Sequence, residues 1–130
     1  MGIVYLNVNG MGIDCAGDGV KTEALGLALK GIEEAVRTQI QVVCICETKQ
    51  GGSPYMERAA AACGFYVAAR QDRKVGAGGV AILCREGVSA VPVHCEEAHE
   101  EDGDLRVEVC AALVRWAGET WQVVCGMKNT

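Results

Sequence analysis

Short apolar runs alternate with one long stripe of helical spacing in the first half of this chain, and the second half reads as strands only. Ile3 to Asn9 alternates weakly and predicts a first strand. Residues 10–21 (GMGIDCAGDGVK) are glycine-rich and predict a loop. From Thr22 to Thr38, Leu25, Ala28, Leu29, Ile32, Ala35 and Val36 fall at helical spacing, a stripe that needs a sheet to cover it. Gly26 and Gly31 each cost that helix about 1 kcal/mol relative to alanine, so packing must hold it. Ile40 to Cys46 is apolar on both faces, as expected of a central strand. Ser53-Pro54 offers an N-cap and a first-turn proline, and Gly64 closes the second helix after Cys63.

Strands are predicted next at Phe65 to Arg70 and Gly79 to Cys84, on either side of the loop 71–78. Val88 to Cys95 is extended, and Pro92 marks it as an edge. After an acidic stretch, Leu105 to Trp116 and Thr120 to Cys125 form a hairpin around Ala117-Gly118-Glu119. Two helical crossovers followed by antiparallel strands predict an α/β domain spanning 1–130. Its mixed, mostly antiparallel sheet carries helices on one face. The other face is apolar as well. The expectation is that this chain holds no second sheet to cover it, and that the open face promotes self-association.

Composition narrows the class. Half the residues are hydrophobic and 22% are charged, ordinary for a globular domain. A net charge of -5 argues against attachment to DNA by bulk charge alone. No apolar stretch approaches the roughly 20 residues that span a bilayer, and no signal peptide is recognisable at the N-terminus. Cys44, Cys46, Cys84, Cys110 and Cys125 lie inside apolar runs and read as core residues, with no CxxC pair to suggest zinc. A cytoplasmic or nuclear location follows, not secretion.

Three features could carry chemistry. Glu47 directly follows the apolar run Val42-Val43-Cys44-Ile45-Cys46, where a lone buried charge would be very costly. It is either a ligand at a sheet's rim or a solvated acid at a strand end. Asn7 and Asn9 leave the same face of the first strand, and an amide there can orient a neighbour or bond a phosphate oxygen. Asn9 also precedes Gly10 as a turn former would. Arg70, Arg73 and Lys74 make the one concentrated basic segment, a backbone-phosphate contact or a solvated hairpin tip.

Other motifs drop out. Gly76-Ala77-Gly78-Gly79 is no P-loop, because a strand follows it. Residues 96–104 lack the ligand order of an EF-hand and predict a mobile surface loop. His94 and His99 have no matching acid and nucleophile.

The pairing of Leu6-Asn7-Val8-Asn9-Gly10 with Glu47-Thr48-Lys49, then Gly78-Gly79-Val80-Ala81-Ile82-Leu83, resembles the endonuclease/exonuclease/phosphatase family. The likeness runs from Val4 to Asn129 and is strongest to the apurinic endonuclease-like branch, notably endonucleases of non-LTR retrotransposons. It implies the N-terminal half of a four-layer α/β/β/α sandwich. It also implies a phosphodiesterase acting on DNA, in which Glu47 binds magnesium or manganese while Asn7 and Asn9 orient catalytic groups. Arg70, Arg73 and Lys74 would then meet the nucleic acid. A catalytically inactive remnant or interaction module, and a lipid- or sugar-phosphate phosphatase, are alternatives within the same resemblance. The chain departs from the family at Gly126-Met127-Lys128-Asn129, which keeps the Asn of a Tyr-x-Pro-Asn segment but lacks its Tyr and Pro. The family's later Asp-and-Asn and Asp-His motifs are expected beyond Thr130.

Overall fold

The computed structural model describes residues 1–8, 20–46, 48, 55–72, 78–95, 98–99 and 106–129. Strand β1 (Gly2–Asn7) is followed by helix α1 (Val20–Val36), β2 (Ile40–Cys46), α2 (Tyr55–Ala62), β3 (Phe65–Gln71) and β4 (Val80–Arg85). The second half adds β5 (Ser89–Val93), the two-residue β6 (Ala98–His99), β7 (Arg106–Trp116) and β8 (Glu119–Asn129). The expected loop 10–21 and the helix start at Ser53-Pro54 lie outside the described residues, apart from Val20 and Lys21 at the start of α1.

The first sheet has the order β1-β2-β4-β3. β1 and β2 are parallel, whereas β4 is antiparallel to both β2 and β3. This is the expected mixed sheet. Val43 and Ile45 of β2, Ala81 and Leu83 of β4, and Phe65 pack against Leu25 and Leu29 of α1 and Met56, Ala59 and Ala60 of α2. Helices therefore cover one face. The stripe on α1 is narrower than its spacing implied. Leu25 and Leu29 are buried and Ile32 partly so, while Ala28, Ala35 and Val36 are exposed. One helix on the flank of a four-stranded sheet needs only a thin seam of contact.

The second face is not open, which corrects the expectation of a single sheet. β5, β7 and β8 form a second sheet, with β6 pairing β7 near its start. Cys110, Ala112 and Val114 of β7 and Val123 and Cys125 of β8 pack onto Val42, Cys44, Cys46, Ile82 and Cys84 of the first sheet. The order of layers is helix, sheet, sheet. Alternation along β7 and β8 supplies the reason, since Cys110, Ala112 and Val114 on β7 and Val123 and Cys125 on β8 fall at every second position and the two rows face the first sheet together.

Part of the expected acidic surface loop is ordered as β6, and the rest lies outside the described residues. β5 is an edge strand that carries Pro92, as expected. At the end remote from β1's carboxyl terminus, Arg85 ties the elements together. It donates to the Ile40 carbonyl at 2.7 Å and to Glu33 of α1 at 2.9 Å, and its guanidinium lies 4.8 Å from the Phe65 ring centre.

Candidate functional site

Strand direction assembles one rim. β1, β2 and β3 run the same way and β4 runs against them, so Asn7, Cys46, Gln71 and Val80 end up on a single edge of the first sheet. Asn7 is the register partner of Cys46, and the Val8 amide continues the ladder by donating to the Cys46 carbonyl at 3.2 Å. Glu47 is the next residue after Cys46 but lies outside the described residues, as do Asn9, Arg73 and Lys74. The connection from β3 to β4, which carries Arg73 and Lys74, leaves from this same rim. The parallel pairing that a shared site requires is therefore present.

Asn7 is exposed, on the same side of β1 as Tyr5, and faces the side on which the second sheet lies. Hydrogen bonding to Cys46, then burial, pushes the Tyr5 phenol well above its usual range, so the ring is a neutral neighbour of the rim at physiological pH.

Arg70 sits elsewhere. It pairs in register with Ala81, whose side chain faces the helices, and it belongs to β3 at the far edge of the sheet from β1. Three strand spacings, roughly 14 Å, separate those edges. Its guanidinium donates to Asp72 at 2.8 and 2.9 Å and to Glu57 of α2 at 2.8 Å. Burial works against its charge, but the two carboxylates outweigh that and raise its pKa above the usual value. A phosphate reaching Arg70 would have to compete with both acids. The structure does not bring Arg70 together with Asn7.

Glu108 escaped the sequence reading, and Thr48 figured there only as part of the Glu47-Thr48-Lys49 motif. Thr48 is fully buried, and its amide donates to the Gly79 carbonyl at 3.2 Å. Glu108 of β7 is fully buried too, and its Oε2 accepts from the Gly79 amide at 3.1 Å. Gly78, with φ +58, lies so close that a Cβ there would fall 2.4 Å from Glu108 Oε1. The only available signal was an acid standing in an alternating apolar row, Glu108-x-Cys110-x-Ala112-x-Val114. The backbone of Arg106 and Asn129, paired in register, reaches the same end of the second sheet.

The described polar groups at or beside this rim include the Asn7 amide, the Thr48 hydroxyl, the Gly79 carbonyl and the Glu108 carboxylate. Five of the described thiols, Cys44, Cys46, Cys84, Cys110 and Cys125, are packed between the sheets. Among the described residues no group of three or more His, Cys, Asp or Glu is placed to hold a metal ion, and Glu47 is not among those residues. Among them, too, no helix is long and apolar enough to cross a membrane. Compared with models of protein families and with curated proteins, the chain matches none.

Proposed function

We propose that this chain forms the metal-side part of a magnesium- or manganese-dependent phosphodiesterase, of the kind that cuts DNA in retroelements. The observation that carries the reading is the parallel register of β1 on β2, which sets Asn7 beside Cys46 and hence beside the backbone that leads into Glu47. Glu47 would hold the metal, with Asn7 and Asn9 orienting the groups around it. When bound, the ion would neutralise charge developing on a phosphate oxygen. Asn7 would bond a phosphate oxygen or a water without adding charge. Arg73 and Lys74, on a connection that leaves from the same rim, would attract the nucleic-acid backbone.

The fold proposed for this reading is the four-layer sandwich. A further helical layer would then cover the outer face of the second sheet, where Val91, Leu113 and Val124 are exposed and share one side by register.

Binding of Mn2+ to the chain, followed by the loss of its free-ion magnetic resonance signal, tests the reading. Wild type should bind, Glu47→Gln should lose most of the binding, and Asn7→Ala should weaken it by about tenfold, the scale of a neighbour that orients a ligand. The 130 residues supply none of the family's later acid motifs. Magnesium-dependent nicking of supercoiled plasmid by this chain should therefore match a no-protein control. Equal Mn2+ binding by wild type and Glu47→Gln would sink the proposal.

A further inference from the structure

Among the described residues, Glu108 is the one charged side chain that is fully buried. Its neighbours in the inward row of β7 are Cys110, Ala112 and Val114, all part of the core between the sheets. Removing a carboxylate from water is costly unless fixed donors replace the lost hydration. One such donor comes from the turn that leads into β4. Glu108 Oε2 takes the Gly79 amide at 3.1 Å, and both its oxygens occupy the space that a side chain on residue 78 would need. Gly79 then accepts the Thr48 amide through its carbonyl at 3.2 Å. Thr48 directly follows Glu47, and Cys46 before it is the register partner of Asn7.

A single bonded path thus runs from the second sheet to the rim of the first, through Glu108, Gly79 and Thr48. Helix-side packing holds β2 and β4 from one face, but Thr48 lies past the strand ladder, which ends at Cys46 and Val80. Beyond that pair, the Thr48 amide donates to the Gly79 carbonyl. The turn that accepts this bond is in turn seated on the Glu108 carboxylate.

We propose that Glu108 is a positioning residue for the rim: it seats the Gly78–Gly79 turn and, through it, the backbone at Thr48, the residue next in sequence to Glu47. The proposal rests on the metal-site reading above for its functional meaning. A residue that orients a metal ligand changes metal affinity about 10- to 100-fold when altered, without itself touching the ion. Glu108 would act in this way through the turn, its carboxylate accepting from the Gly79 amide.

The test uses the full chain, Mn2+ as the probe, and amide hydrogen exchange read residue by residue. In Glu108→Gln, Mn2+ affinity should fall at least tenfold. Exchange at Thr48 and Gly79 should quicken, while Val43 to Ile45 inside β2 stay protected as in wild type. Gly78→Ala, which displaces the turn and leaves the carboxylate in place, should act in the same direction. If Glu108→Gln does not fold, Gly78→Ala decides by the same two readouts. Binding within twofold of wild type in these variants, while Glu47→Gln binds nothing, overturns the role of Glu108 and leaves the metal reading standing. A wild-type chain that takes up no Mn2+ removes the metal reading instead. Exchange then decides alone, and unchanged protection at Thr48 and Gly79 in Glu108→Gln removes the seat as well.

Discussion

Thiols make up an unusual share of the contact between the two sheets. Cys44, Cys46, Cys84, Cys110 and Cys125 all belong to that core, and the described cysteines are unpaired by disulfides. The Cys125 thiol donates toward the Ile45 carbonyl at 3.6 Å. Burial, then the neighbouring Cys44, pushes the Cys84 thiol up to about 11 from the usual 9.0. Contact with Cys110, with burial added, takes Cys125 to about 12. The folded state holds these protons more tightly than the unfolded chain does. Their contribution to stability is therefore complete below about pH 9 and is lost as pH rises through the folded values. Thermal unfolding should show a plateau in Tm from pH 7 to 8.5 and a fall of roughly 5 °C or more by pH 10.5. Alkylation at pH 8, followed by peptide mass spectrometry, should modify partly exposed Cys95 well before Cys84 or Cys125. Fast modification of Cys84 in the folded chain would contradict this packing.

At the scale of elements, the hairpin of β7 and β8 has the clearest internal logic. Eleven residues on each strand pair without a register shift, from Arg106 with Asn129 to Trp116 with Glu119. The turn between them has only Ala117 and Gly118, with φ of 51° and 78°. Positive φ at both positions is the signature of a type I′ turn, whose hand suits the twist of the strands. Glycine takes that conformation freely, but alanine strains its Cβ against the following carbonyl. Ala117→Asn should therefore stabilise the protein by about 0.5–1 kcal/mol, read as a higher urea midpoint with unchanged slope. Ala117→Val should lower the midpoint. The turn was readable from Ala117-Gly118-Glu119 and the flanking strands, although β8 runs four residues past the Cys125 at which its apolar pattern fades. Hydrogen bonding to β7 extends the strand there, a cause that a single segment does not display.

For the whole molecule, the face to watch is the outer side of the second sheet. Val91 and Leu113 are opposite each other there, and Val124 lies across from Ala111, next in the same row. All three side chains are exposed. A contiguous apolar strip on a sheet face is a site of association when nothing covers it. The chain should elute earlier from size exclusion as its concentration rises. Leu113→Lys with Val124→Lys should restore a concentration-independent position without lowering Tm by more than a few degrees. Association that survives both substitutions would place the contact on another surface.

Much of this architecture could be read directly along the chain. The spacing of Leu25, Leu29 and Ile32 names a helix, and the unbroken run from Ile40 to Cys46 names a central strand. The helical crossover between β1 and β2 makes them parallel, which carries Asn7 to the end of the sheet where Glu47 follows Cys46. Those features are local, because periodicity and chain direction act within a segment or across one connection. Two other features depended on contacts between distant segments. Alternation in β7 and β8 told which residues share a face, but only packing decided that this face forms a second sheet against Cys44 and Ile82. Nor does an acid in an apolar row show what it reaches: residue 108 lies 29 positions from Gly79 in sequence, and only the meeting of the two sheets makes its carboxylate the seat of the rim turn.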